Sequence, residues 1–354
     1  MEPRERVLTA LNHKKPDKCP INFRATTEII ESLKKHLDKN YEELLDYFQV
    51  DFREVIPEYR GPKIEKLDDG SSVDIWGVAR KEKITKHSRD EIVTHSPLKE
   101  VSKVDDVIQH EWPSAELFDF SQISSQCDNY EGYAISTPGI HVSGYHGVFH
   151  LLTYLFGMEK ALINLVTEKN IMHKSIEKIM DFLMAYYERL FASAEGKIDF
   201  LFYKDDFGSQ NNLLISRDMF KEYFASTLQR LAHLAEKFNA HLILHSCGSV
   251  VKLIPDFIDL GVKVLDPIQT SAKGMEIEKL SDDFAEELVF HGGIDTQSVL
   301  PKYSPDKVKE VVTHTIDILG CQGGYFFSPS HRIQQDTPID NIIAMYEAAN
   351  GYTY

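Results

Sequence analysis

Short apolar runs alternate along this chain with longer segments in which apolar residues recur every three or four positions. The runs predict strands, and the periodic segments between them predict helices. Strands that alternate with helices are typical of a parallel sheet with helical crossovers. The pattern therefore predicts an α/β fold, a (β/α)8 TIM barrel, as a single domain over residues 1–354. The eight predicted strands cover residues 19–23, 50–56, 133–138, 199–205, 241–246, 262–266, 287–292 and 324–328.

Residues 62–96 depart from this alternation. The segment 72–81 alternates polar and apolar residues directly after an Asp-Asp-Gly turn at 68–70, which is the chemistry of a β-hairpin. We therefore expect an inserted β-ribbon here rather than a barrel strand. The N-terminal part of the chain predicts helices at 3–12, 26–38 and 41–48.

Most of the predicted strands end in polar side chains. The C-terminal ends of barrel strands lie on one rim, where barrel enzymes place their active sites. These side chains are therefore candidates for a common site. They are Arg24, Glu58, Asp206, His245 with Cys247, Asp266, Asp295 and His331.

The stretch His245-Ser246-Cys247-Gly248 ends the fifth predicted strand. Imidazole and thiolate are preferred ligands of zinc, and a zinc that handles substrate needs about three protein ligands and one open position. A bare His-x-Cys is equally compatible with a packed histidine and a buried cysteine. Its place on the predicted rim favours a functional site.

Cys321 and His331 are the candidates for a third zinc ligand. Thiolate chemistry favours Cys321, but this residue precedes the strand at 324–328, which spans about 16 Å. His331 follows that strand and is expected on the same rim as His245. We therefore predict zinc ligands at His245, Cys247 and His331. The fourth position stays open to Asp206, Glu28 or water.

Three histidines, His141, His146 and His150, follow the third predicted strand. His146 and His150 have the i, i+4 spacing of a two-histidine zinc helix. Gly147 stands where such a motif carries glutamate, so packing or contacts with substrate are favoured over metal binding. We predict that His146 and the adjacent Tyr145 bind substrate.

Composition narrows the classes of partner. The net charge of −16 argues against nucleic acid and against anionic membrane surfaces. No apolar run reaches the length of a membrane span, and the charged N-terminus is unlike a signal peptide. The four cysteines form no CxxC pair, so a reducing, cytoplasmic location is expected. The oligomeric state stays open, with a homodimer as one option.

Several segments together resemble the uroporphyrinogen decarboxylase-like superfamily over nearly the whole chain. The resemblance implies a barrel and one of two activities. One branch contains cofactor-free decarboxylases of a highly carboxylated tetrapyrrole. The other contains zinc methyltransferases that move methyl groups between a corrinoid protein and a thiol or a methylated donor. The segments are residues 4–17, Asn22-Phe23-Arg24, 74–78, 245–248, 292–295 and 328–342.

The decarboxylase branch is matched only in part. Its paired arginines after the first strand correspond to Arg24 and Glu28, so the second arginine is lost. Its essential aspartate corresponds loosely to Glu58, whereas its late histidine corresponds to His331. Replacing an arginine by an acid is unfavourable for a polyanionic substrate.

The methyltransferase branch is matched better, because its His-x-Cys falls on His245 and Cys247. Its third zinc ligand is commonly a cysteine, where this chain has His331. The resemblance implies a zinc enzyme whose corrinoid is carried by a separate partner protein, and whose small substrate is a thiol or a methoxyl or methylamine compound. Asp206, Glu58 and Arg24 are then expected to orient substrate or ligands, and Asp266 to contact substrate. A non-catalytic barrel that binds a corrinoid or small molecule is a further hypothesis.

Overall fold

A computed structural model describes residues 1–64, 66–84, 89–138 and 147–354. The helices of at least four residues are α1 (Pro3–Leu11), α2 (Thr27–Leu37), α3 (Tyr41–Tyr47), α4 (Val104–Gln109), α5 (Ile123–Asn129), α6 (Val148–Phe156), α7 (Met158–Thr167), α8 (Lys169–Ala194), α9 (Arg217–Tyr223), α10 (Ala225–Lys237), α11 (Ile254–Asp259), α12 (Ile277–Phe284), α13 (Val299–Lys302), α14 (Pro305–Leu319) and α15 (Ile339–Gly351). None of them is both long and apolar enough to cross a membrane.

The strands form one large sheet and two small ones. The strands are β1 (Phe52–Glu54), β2 (Glu58–Tyr59), β3 (Ser72–Val73), β4 (Ala79–Ile84), β5 (Arg89–His95), β6 (Phe118–Asp119), β7 (Ala134–Thr137), β8 (Phe200–Lys204), β9 (His241–His245), β10 (Val262–Ile268), β11 (Val289–Ile294) and β12 (Tyr325–Pro329). The large sheet has the order β1-β7-β8-β9-β10-β11-β12, and every neighbouring pair is parallel.

The strands of this sheet are continuous apolar runs, because both faces of each strand are covered. All residues of β7, β11 and β12 are buried, as expected for parallel strands with helices outside and a packed interior within. The rings of Phe52, Phe200 and Phe326 meet in that interior at centroid distances of 5.3 to 6.0 Å. The seven-stranded sheet is curled and TIM-barrel-like.

The first predicted strand, at 19–23, is not a strand. Pro20 has no N–H, the N–H of Ile21 donates to the Asp51 carboxylate at 2.8 Å, and the N–H of Phe23 donates to the Asn22 side chain at 2.8 Å. Because side chains accept these N–H groups, the segment forms only a bridge, between Ile21 and Phe327. The other seven predicted strands are confirmed, with ends shifted by a few residues.

The expected ribbon is confirmed as a small antiparallel sheet of β3, β4 and β5. The turn that precedes β4 carries Trp76, which is 2% exposed. Its ring packs edge-on against Phe182 of α8 at 5.1 Å. This contact fixes the ribbon to the helical layer around the sheet.

Candidate metal centre

Three side chains converge at the C-terminal rim of the large sheet. His245 is the last residue of β9, Cys247 follows it in the next turn, and His331 lies just beyond β12. Their ligand atoms all lie within 4.8 Å of one another. The Sγ of Cys247 is 3.3 Å from the Nε2 of His245.

The turn that carries Cys247 depends on close backbone packing. Gly248 has φ +87°, a left-handed conformation that suits glycine. A Cβ at this position would lie 2.7 Å from the carbonyl carbon of Gly208 in the neighbouring loop. The two loops therefore pack backbone against backbone, which holds the thiol beside the end of β9.

A buried carboxylate holds His245. Asp266, in β10, is fully buried, and its carboxylate contacts the Nδ1 of His245. The same carboxylate accepts hydrogen bonds from Arg24 at 2.6 and 2.8 Å and lies 2.9 Å from the Nδ1 of His291. Burial would raise the pKa of Asp266, but Arg24 and the two histidines hold it well below its usual value. An ionised Asp266 thus leaves the Nε2 of His245 facing the cluster.

Asp206 lies beside the cluster on the loop after β8. Its Oδ1 accepts the N–H of Cys247 at 2.8 Å and lies 3.7 Å from the Nε2 of His245. Its Oδ2 is 3.6 Å from the Nε2 of His150. Although burial opposes ionisation, His245 and His150 lower the pKa of this carboxyl. Asp206 therefore adds a negative charge next to the three side chains.

The donor set fits a zinc ion. Ligand atoms around one tetrahedral zinc are roughly 3.5 Å apart, close to the separation of Cys247 and His245. Burial, with His245, Arg24 and Lys204, lowers the pKa of His331 to about 4, so its imidazole is neutral and able to ligate at neutral pH. Burial raises the pKa of the Cys247 thiol, as do Asp206 and Asp266. A thiol in such surroundings becomes a thiolate only beside a strong positive charge.

Comparison with known proteins places the chain in a family. The family model described as uroporphyrinogen decarboxylase (URO-D) matches residues 141–352. The chain belongs to the uroporphyrinogen decarboxylase family. A search of curated protein sequences finds no match.

A solved structure shares the architecture of this URO-D family protein. A methyltransferase from Methanosarcina mazei superposes with a TM-score of 0.66 at 18% identity, covering 99% of this chain and 98% of that one. At this identity the likeness shows the fold alone. The 3-keto-D-glucoside 4-epimerase from E. coli gives a TM-score of 0.36 at 12% identity, over 66% of this chain and 86% of that one. This score is too low to show a shared fold.

Two expectations for this URO-D family protein require correction. Asp266, expected to contact substrate, is fully buried behind His245 because Arg24 and two histidines enclose it. Glu58, expected in the site, lies in β2, where its exposed side chain pairs with Arg60 at 3.1 Å. Its strand pairs with β6 in a separate small sheet, not with the strands that carry the cluster.

The remaining predicted residues have mixed positions. Arg24 is near the cluster, but its guanidinium is engaged by Asp266 and lies over the ring of Phe202 at 5.1 Å. Tyr145 and His146 fall outside the described residues. Cys321 is exposed and precedes β12, at the opposite end of that strand from His331.

The structure adds Glu54, which sequence reasoning missed, and places His150, which the sequence offered for packing or substrate contact, beside Asp206. Glu54 ends β1 two positions after the interior Phe52, and this alternation was the available signal. Its side chain is exposed, desolvation raises its pKa, and the charges of Arg24 and Arg332 oppose this shift. His150 contacts Asp206 because Asp205 accepts the first N–H groups of α6 and fixes that helix at the rim.

Proposed function

We propose that this chain is a zinc-dependent methyltransferase that moves a methyl group between a corrinoid carried by a partner protein and a small thiol, methoxyl or methylamine compound. The observation that carries the proposal is the convergence of His245, Cys247 and His331, with Asp266 behind His245. Family membership and the shared fold of the Methanosarcina mazei methyltransferase support it.

The chain's own residues would prepare the site as follows. Asp266 fixes the His245 ring so that its Nε2 is presented, as carboxylates commonly do for zinc-bound histidines. Asp206 accepts the N–H of Cys247 and faces the Nε2 of His245, which makes it our choice for the fourth ligand when no substrate is bound. A bound zinc would supply the Lewis acidity that keeps a coordinated thiol deprotonated at neutral pH.

The surroundings suit the transfer of an uncharged methyl group. Phe202 lies in the interior beneath the cluster, with its ring 5.8 Å from that of His245. An apolar floor excludes water from the metal side of the substrate. The cluster lies on the strand-end rim, where a corrinoid presented by another protein would approach.

Decarboxylation of a tetrapyrrole is the alternative within the family. A polycarboxylate substrate needs several unpaired cations. Arg24 is occupied by the buried Asp266, and Glu28 stands where the resemblance expects a second arginine. These two observations favour methyl transfer over decarboxylation.

We also infer that the segment at 20–25 completes an eight-part barrel. The Asn22 N–H donates to the Phe327 carbonyl, the Phe327 N–H donates to the Pro20 carbonyl, and the Asp51 N–H donates to the Ile21 carbonyl. This segment therefore connects β12 with the residue that precedes β1.

The test combines metal analysis with turnover. Protein purified without chelator is expected to contain about one zinc per chain, and to demethylate methylcobalamin in the presence of a thiol. Uroporphyrinogen serves as the control substrate. Absence of zinc, or carbon dioxide release from uroporphyrinogen by the metal-free protein, would overturn the proposal. Saturable corrinoid binding without methyl transfer would instead identify a binding protein.

A further inference from the structure

A polar cavity of about 650 Å³ lies between the start of α2 and the ribbon. The N-terminal end of α2, the ribbon and the loop after His331 line it. The lining includes Arg332, the residue that directly follows His331. Because His331 belongs to the cluster and Arg332 lines the cavity, the chain itself links the two places.

Arg332 has an uncommitted guanidinium. Within the described residues it makes no ion pair and donates no hydrogen bond, although its side chain is exposed to the cavity. Its neighbour Ile333 is fixed, because the Ile333 N–H donates to the Arg24 carbonyl at 3.0 Å. A positioned arginine without a carboxylate partner is a typical recognition group for carboxylates and other oxyanions.

The start of α2 presents further donors to the same cavity. Thr26 occupies the N-cap position, yet its side chain makes no capping hydrogen bond. Its Oγ1 is buried and has no partner. The backbone places it next to Arg332, since the Thr26 N–H donates to the Ile333 carbonyl at 3.0 Å. The first N–H groups of this 11-residue helix lack partners within the helix and carry its positive dipole end.

The ribbon supplies an independent indication. Arg80 lines the cavity from β4, is only 7% exposed, and has an Nη2 without a hydrogen-bond partner. Its Nε pairs with Asp74 at 3.1 Å, and its guanidinium lies 4.4 Å from the centre of the Tyr154 ring. Buried donors are nearly always satisfied, so an unpartnered one in a cavity wall indicates a missing acceptor.

The carboxylates that line the cavity limit the negative charge of a ligand that can bind there. Glu28, Glu82 and Glu91 line it together with Lys66, Arg80 and Arg332, so the formal charges cancel. A polyanion would meet these carboxylates and be repelled. One anionic group placed at Arg332 keeps this repulsion smallest, although Glu28 lies in the first turn of α2.

We propose that this cavity binds the single carboxylate of the small substrate, through Arg332, Thr26 and the N-terminal end of α2, while the substrate's reactive atom lies at the cluster. Only the placement of the reactive atom at the cluster rests on the proposed function. It defines the substrate class as a short thiol or methylated compound that carries one carboxylate.

The experiment compares two thiols that differ in the carboxylate. Isothermal titration of the zinc-loaded protein is expected to give at least tenfold tighter binding for 3-mercaptopropionate than for 1-propanethiol. R332Q is expected to weaken 3-mercaptopropionate binding roughly ten- to a hundredfold, the usual cost of losing a charged hydrogen bond, and to leave propanethiol unchanged. T26V, which replaces the hydroxyl with a methyl group, should weaken the binding of 3-mercaptopropionate several-fold.

R189Q is the matched control, because it removes the same charge from an arginine paired with Glu116 on the surface. Equal binding of 3-mercaptopropionate to wild type and R332Q would overturn the assignment. Propionate separates this idea from the proposed function, because its binding requires neither zinc nor methyl transfer. Propionate binding that R332Q abolishes would support the carboxylate site even in a protein without transferase activity.

Discussion

The Sγ of Cys247 and the Nε2 of His245 are 3.3 Å apart at the end of β9. Two residues of sequence separation allow this contact because Ser246 is held away from the cluster. The N–H of Ser246 donates to the Asp266 carbonyl, and its Oγ accepts the Phe207 N–H at 3.0 Å. The His-x-Cys pair is thus arranged so that both side chains could ligate one ion.

Replacing Cys247 by serine should remove the metal. A hydroxyl is a poor zinc ligand beside two imidazoles, so we expect zinc content to fall from about one equivalent to less than about 0.1 after dialysis. Elemental analysis measures it. C321S is the control, because Cys321 is exposed on the far side of β12 and should retain full zinc. Equal zinc in the two variants would show that the thiol at 247 is not a ligand.

Asp266→Asn should weaken both zinc binding and the fold. The variant no longer orients His245 and leaves Arg24 without its partner. We expect a ten- to hundredfold loss of zinc affinity, and a loss of roughly 3 kcal/mol in the free energy of unfolding of metal-free protein. Competition with a chelator and urea denaturation measure the two effects. The control Glu116→Gln breaks an exposed ion pair and should change neither zinc affinity nor the free energy of unfolding. Unchanged zinc affinity and stability in D266N would refute the role of Asp266 as the support of His245.

Gly248→Ala should disturb the turn that carries Cys247 more than the same substitution at a matched glycine elsewhere. Its φ of +87° disfavours a side chain, and the new Cβ would lie 2.7 Å from the Gly208 carbonyl carbon. We expect a loss of about 2 kcal/mol or more in the free energy of unfolding, together with weaker zinc binding. Gly196 has φ +80° with open space, so G196A should cost about 1 to 2 kcal/mol and leave zinc affinity intact. Similar zinc affinities for both variants would contradict the packing argument.

His241 should make stability depend on pH. Burial lowers the pKa of this imidazole, and Lys263 adds to the effect. Below about pH 6.5 the unfolded chain binds a proton that the folded state does not, so the free energy of unfolding falls as pH decreases. Urea denaturation with chelator at pH 7.5, 6.5 and 5.5 should show a shallower decline for His241→Gln than for wild type. The exposed His36→Gln should decline like wild type, and identical slopes for all three would exclude the effect.

Several elements were predictable because their cause is local. Each apolar run that is covered on both faces forms a strand of the large sheet, and the Asp-Asp-Gly turn starts the ribbon. The segment at 19–23 reads like a strand, but side chains of Asp51 and Asn22 take its N–H groups. The Asp51 carboxylate comes from a residue 30 positions away from Ile21, which no local pattern reveals.

The sequence by itself determined the alternating fold and the pair His245 and Cys247, because hydrophobic period and strand-end position are properties of neighbouring residues. Strand-end position also predicted His331 beside that pair, whereas the tertiary structure alone decided which side chains support it. Asp266 became a buried support for His245, and Glu58 was directed to a surface ion pair. Arg332 was left unpaired beside a cavity. These roles depend on which distant side chains share a space, and only the register and curvature of the sheet bring such side chains together.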